Sequence, residues 1–298
     1  NALPWANSKA FQCLRLEVSL GAKGMNHPAP IGVFDSGIGG LSILKALRAE
    51  LPHESFVYFS DSAHAPYGER DGAYVVERSL AITELLREKH GVKALVVACN
   101  TATAVAIGAL RARYPDLPVV GVEPAIKPAL SQTRTGHIGV LATRRTVGST
   151  KFNELLTTLA HKAHFSVTAC DGLAKAIENR NESEIKALIQ TYTSDTGIFG
   201  SNFGEIDTLV LGCTHYPLEH AAFQLAVGKS VVLVEPGLAV ARRVSSVLEN
   251  LGKAHATPKK PGSVTWLGSA ADLSPLMDAA RHWLPDAQGD QPPAVPSH

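Results

Sequence analysis

Two ten-residue stretches of this chain share one frame, and that repetition constrains the fold more than any other feature. Residues 209–218 read LVLGCTHYPL: an aliphatic run ends at Gly212, then Cys213, Thr214, His215 and Tyr216 follow before Pro217 closes the segment. Residues 94–103 read ALVVACNTAT, again an aliphatic run, a small residue, Cys99, and the hydrogen-bonding side chains Asn100 and Thr101. The two cysteines stand 114 residues apart, and a second echo, Ile31-Gly32-Val33 against Ile138-Gly139-Val140, repeats at 107. Such runs read as buried parallel strands, and polar groups just past their ends fall where open α/β sheets place ligands. The chain therefore reads as two related halves, each delivering one thiol to a shared place.

Alternation of short apolar runs with helical patterns extends through both halves and predicts an α/β fold with a mostly parallel sheet in each. Strands are expected near 30–34, 56–59, 119–122, 138–141, 165–169, 231–234 and 264–267, besides the two cysteine strands. Helices are expected over 41–51, 73–89, 101–113, 150–160, 185–192 and 239–251. At 298 residues, two domains are the expectation. Residues 25–123 plus 238–285 would form the first and 124–237 the second, with the site in the cleft between them. Residues 1–24 read as an extension outside the domains: their apolar run is broken by Arg15 and Glu17, so it makes no signal-peptide core. The polar, proline-rich stretch 286–298 reads as a disordered tail.

The net charge of +1 gives no reason to expect nucleic acid or an anionic membrane as partner. No apolar run approaches the ~20 residues needed to cross a bilayer. The four cysteines, Cys13, Cys99, Cys170 and Cys213, show no metal-ligand spacing, so no metal is expected. A Cys99–Cys213 disulfide is the bland alternative for the repeated pair, and packing of small buried cysteines is the bland alternative for either alone. Cys13 and Cys170 are expected to carry no function.

Polar loops gather at the predicted strand ends. Asp35-Ser36-Gly37-Ile38-Gly39-Gly40 makes a glycine-rich turn into a helix whose first N–H groups could face a carboxylate. Asp61 and His64 sit in the loop after the second strand, where turn formation accounts for them as readily as function. Thr143 to Thr146 occupies, in the second half, the position of the glycine turn. Cys99 falls at a helix start, a setting that favours thiolate. A single-cysteine hydrolase triad leaves the second framed cysteine unexplained. Two thiols flanking one carbon instead suit stereochemical inversion, one removing a proton from one face while the other delivers a proton to the opposite face. Asp35 would tune one thiol and His215 the other.

The motifs DSGIGG (35–40), APYG (65–68), ACNTAT (98–103), GVEPAIKPA (121–129), IGVLATRRTV (138–147) and LGCTHYPL (211–218), in this order, resemble the glutamate racemases. The resemblance runs from about residue 30 to the last strand. It implies interconversion of L- and D-glutamate without pyridoxal phosphate or any other cofactor, supplying D-glutamate for peptidoglycan in the cytoplasm. Catalytic roles carry over onto Cys99 and Cys213, with Asp35 and His215 beside them. Substrate contacts carry over onto Asp35, Ser36, Pro66, Tyr67, Gly68, Asn100, Thr101, Thr214 and His215, with Thr143 and Thr146 as further contacts. Asp61 and Glu178 fall at the family's auxiliary acidic positions. The partners implied are glutamate, a second copy of the chain in a homodimer, and a peptidoglycan-precursor activator. The competing expectations are a racemase or isomerase of the same fold acting on aspartate or another small dicarboxylate, and a non-catalytic protein that keeps the pocket for a ligand.

Overall fold

A computed structural model describes residues 29–253 and 261–284. The expected extension at 1–24 and tail at 286–298 lie outside the described residues.

Hydrophobic strands and amphipathic helices alternate from the start. In chain order they are β1 (Ile31–Asp35), α1 (Leu41–Glu50), β2 (Phe56–Ser60), α2 (Gly72–His90), β3 (Ala94–Val97), α3 (Asn100–Arg113), β4 (Val119–Gly121) and α4 (Ile126–Leu130). The chain continues through β5 (His137–Ala142), α5 (Arg144–Val147), α6 (Thr150–Leu159), β6 (His164–Ala169), α7 (Leu173–Glu178) and α8 (Glu182–Thr196). The described residues close with β7 (Thr208–Leu211), α9 (His220–Val227), β8 (Val232–Val234), α10 (Gly237–Asn250), β9 (Val264–Gly268) and α11 (Ser274–Trp283). Boundaries differ from the sequence expectation by a few residues, mostly at caps. Asn100 and Gly72 begin their helices one residue early because Cys99 Sγ and the Asp71 carboxylate cap them.

The nine strands of the described residues form two parallel sheets. The first has the order β4-β3-β1-β2-β9 and the second β6-β5-β7-β8. Read from its other edge, the second is β8-β7-β5-β6, the same path as β4-β3-β1-β2. In each half the Ile-Gly-Val strand lies between its two successors, β1 between β2 and β3 and β5 between β6 and β7. The repeat seen in the sequence is thus a repeat of topology, and β9 is the first sheet's extra strand.

Both sheets are covered on both faces, which is why their strands read as continuous apolar runs rather than alternations. In β3, Ala94 and Val96 pack with α1, α10 and α11, while Leu95 and Val97 pack with α2 and α3. Cys99 extends the second of these rows. In β7, Leu209 and Leu211 face α7, α8 and α9, and Cys213 extends that row, while Val210 faces α4 and α6. Strand alternation therefore aims both cysteines from the same place in each half.

Candidate active site

Three of the cysteines, Cys99, Cys170 and Cys213, are buried and free, so no disulfide joins Cys99 to Cys213. Both of the framed thiols open onto one cavity of about 350 Å³ between the halves. Its wall includes Ser36, Pro66, Tyr67, Gly68, Asn100 and Thr101 from the first half. Thr143, Thr214 and His215 face them from the second. Every one of these was named from the sequence. Thr101 Oγ1 and Thr143 Oγ1 lie 3.2 Å apart across the seam, and Thr143 Oγ1 is 3.0 Å from Thr146 Oγ1. Thr146 itself is buried behind Thr143 and does not reach the wall.

Cys99 caps α3, its Sγ accepting from the Ala102 N–H at 3.5 Å, and its thiol points to Ser36 Oγ at 3.8 Å. The expectation that this helix start favours thiolate fails in balance. Burial pushes the Cys99 thiol up and the neighbouring Asp35 pushes it further, outweighing the Ala102 and Ser36 hydrogen bonds. Cys213 has a different neighbour: His215 Nδ1 lies 3.9 Å from its Sγ. Burial alone would lower the His215 pKa, but hydrogen bonds to Cys213 and Glu178 and the Glu178 charge hold it well above the ordinary value. The imidazolium is therefore the favoured form.

The remaining acids stand behind the wall. Asp35 is fully buried, and its Oδ2 accepts the Gly37 N–H at 3.0 Å. Burial raises the Asp35 pKa, opposed by His215 and by the Gly37 and Gly40 amides. Glu178 reaches His215 Nε2 at 2.6 Å and accepts the Ile38 N–H at 3.0 Å. The carboxylate at the glycine turn is thus the protein's own. The turn's lack of side chains serves that docking: a Cβ on Gly37 would lie 2.3 Å from Glu178 Oε2, and one on Gly39 2.4 Å from His215 Nδ1. Ser42 Oγ adds a hydrogen bond to the Thr214 carbonyl at 2.9 Å. Asp61 lies beneath the wall, its carboxylate bridging the Tyr67 hydroxyl and the Arg78 guanidinium, with Arg78 Nε at 3.0 Å and Nη2 at 2.7 Å. His64 pairs with the Tyr74 hydroxyl and stays off the wall.

Several residues escaped the sequence reading. Arg78 is buried on the face of α2 that carries Val75, Ile82 and Leu86. An arginine in that register is the signal of a buried ion pair. Cys170, expected to be idle, lines the cavity, and burial pushes its thiol up to about 12. Glu69, Arg144, Asp171 and Lys175 stand around the mouth, with Arg144 paired to Asp171. Exposed charges like these give no pattern by which to find them. Among the described residues no group of three His, Cys, Asp or Glu side chains is arranged to hold a metal, and no helix is long and apolar enough to cross a membrane.

A sequence model of the Asp/Glu/hydantoin racemases matches residues 41–244. The chain is 44% identical over 247 residues to a glutamate racemase of Ectopseudomonas mendocina, covering 82% of this chain and 90% of that protein. Its fold is similar to that of a glutamate racemase isoform of Bacillus anthracis, with a TM-score of 0.75 and 31% identity over 88% of this chain and 95% of that one. It is also similar to Escherichia coli glutamate racemase solved with L-glutamate and the activator UDP-MurNAc-ala. There the TM-score is 0.72 and the identity 32%, over 86% of this chain and 96% of that one.

Proposed function

The chain belongs to the Asp/Glu/hydantoin racemase family, and on that premise we propose that it interconverts L- and D-glutamate by proton exchange between two cysteines. One observation carries the reading: two free thiols at matching strand ends share one small cavity from opposite halves. A substrate α-carbon held between them presents one face to Cys99 and the other to Cys213. In one direction Cys213 removes the α-proton and the Cys99 thiol delivers a proton to the opposite face. In the reverse direction the roles exchange. Both proton carriers belong to the chain, so the reaction as drawn uses no cofactor.

The surroundings suit those roles unequally. Cys99 rests as a neutral thiol, ready to donate. The His215 imidazolium beside Cys213 stabilises the negative sulfur that forms when Cys213 hands over its proton. The Ser36, Thr101, Thr143 and Thr214 hydroxyls are suited to the substrate carboxylates. Asn100 Oδ1 is buried without a hydrogen-bond partner and suits the ammonium. Preorganised donors in a dry cavity are what a weakly acidic α-carbon requires. Asp35, Thr146, Asp61 and Glu178 act by holding these groups.

This activity fits supply of D-glutamate for peptidoglycan in the cytoplasm. Because the E. coli relative was solved with UDP-MurNAc-ala as activator, a response here would appear as a rise in turnover when that nucleotide is added. The deciding experiment incubates the protein with L-glutamate in deuterated water without pyridoxal phosphate and follows optical rotation and the α-proton signal. Rotation should decay to zero with loss of that signal, and L-aspartate should react far more slowly. Cys99→Ser and Cys213→Ser should each lose on the order of a hundredfold to ten-thousandfold. Near-normal turnover in either variant would end the proposal.

A further inference from the structure

The end of α7 carries a residue that its backbone position does not favour. Arg180 N–H donates to the Ile177 carbonyl and Asn181 N–H to the Ala176 carbonyl, each at 3.0 Å. These are the paired bonds of a helix terminus whose penultimate position turns left-handed, and glycine ordinarily fills it. Here the residue is Arg180 at φ 53, the sole non-glycine with positive φ among the described residues. A long side chain at this φ costs stability that glycine would not, a cost that a contact made by the side chain can offset.

That contact crosses to the other half. The Arg180 guanidinium carbon lies 5.5 Å from the centre of the Trp283 ring, within the range of an attractive cation–ring interaction. Trp283 ends α11, which packs with α1 against the first sheet through Leu276, Ala279 and Ala280. Helix α1 starts directly after the glycine turn, and that turn binds Glu178 through the Ile38 N–H. Glu178 is two residues before Arg180. A closed circuit results: turn, α1, α11, Trp283, Arg180, Glu178 and back to the turn. Glu178 sits where the circuit meets His215.

We propose that Arg180 is a positioning residue, strapping the end of α7 to Trp283 so that Glu178 stays seated against His215 and the glycine turn. The inference rests on the two-thiol reading above. The left-handed strain at Arg180 is offset by the strap. Neither Arg180 nor Trp283 lines the cavity, so the strap acts on turnover rather than on substrate affinity.

Arg180→Gly separates this from a purely structural role, because glycine relieves the backbone while removing the guanidinium. It should melt at the parent temperature or above, with kcat for glutamate reduced about threefold to tenfold, the loss expected from one cation–ring contact, and with KM little changed. Trp283→Leu should lower kcat by a similar factor, and the double variant should be no slower than the slower single one. Arg180→Lys, which keeps a cation on the ring, should recover part of the loss. Parent kcat in Arg180→Gly, or a loss confined to KM, overturns the strap. A parent chain that does not racemise glutamate overturns the reading beneath it instead, so the two failures are told apart by the unmodified protein.

Discussion

Residues on the cavity wall meet the ligand, and buried partners behind them hold that wall in place. Cys99 and Cys213 announce themselves by framing, since packing alone does not require a thiol repeated with polar followers on matching strands. Arg78 could be found only by noticing a cation in the buried register of α2. Its pair with Asp61 is nearly inaccessible to solvent, with exposures of 3% and 0%, so removing one partner strands a buried charge. Arg78→Met should cost about 3–5 kcal/mol in urea unfolding, and Asp61→Asn/Arg78→Met together should cost less than Arg78→Met alone. The Glu178–His215 pair makes a prediction with pH. The His215 pKa is raised in the folded state, so its contribution to stability is complete below the ordinary histidine value of about 6.5. It is lost as pH rises through the folded pKa. Glu178→Gln weakens that rise, so the stability gap between parent and variant should be wider at about pH 6 than at about pH 10, as read by chemical denaturation. Cys170 supplies the contrast. With its thiol pushed up to about 12, it stays protonated at neutral pH, and Cys170→Ala should keep turnover within about tenfold of the parent, short of the loss caused by removing a working base.

Among the elements, continuous apolar runs revealed the strands and periodicity the long helices. α7 and α9 were missed because one is short and the other nearly all apolar, and the ten-residue α11 was missed although Leu276, Ala279 and Ala280 give it a helical apolar face. α7, only six residues, has too few turns to show a helical face, although it carries Glu178. α9, HAAFQLAV, hides as an apolar stretch following a proline-bearing turn. The glycine turn before α1 was legible as a place of close approach, but the approaching group was not. Glu178 is 140 residues from Ile38, and no local pattern reports such a pairing. The two glycines differ in what a methyl would meet. At Gly37 it would strike a carboxylate at the end of a flexible chain, and at Gly39 the His215 ring. Gly39→Ala should therefore lower kcat more than Gly37→Ala, by about tenfold or more if the ring moves even ~1 Å from Cys213. Steady-state kinetics of the two variants side by side check that order.

For the whole molecule, duplication was the most informative reading. The offsets of 107 and 114 residues correspond to one strand path laid down twice, β4-β3-β1-β2 and β8-β7-β5-β6. The return of β9 to the first sheet could also be expected from the late apolar run, because a last strand needs a partner edge. Stability across the cleft should depend on what fills it. A ligand bound only by the folded protein stabilises it by about 2.7 kcal/mol at a hundred times its Kd. L-glutamate should accordingly raise the melting temperature at concentrations where L-aspartate leaves it unchanged.

The docking of Glu178 and His215 onto the bare glycine bed has one more outcome. The bed belongs to one half and the acid–base pair to the other, so any parting of the halves wide enough to admit or release a ligand also lifts the imidazole from its seat. Access and readiness would then be geared in opposition, since the imidazole keeps its seat only while the halves stay together.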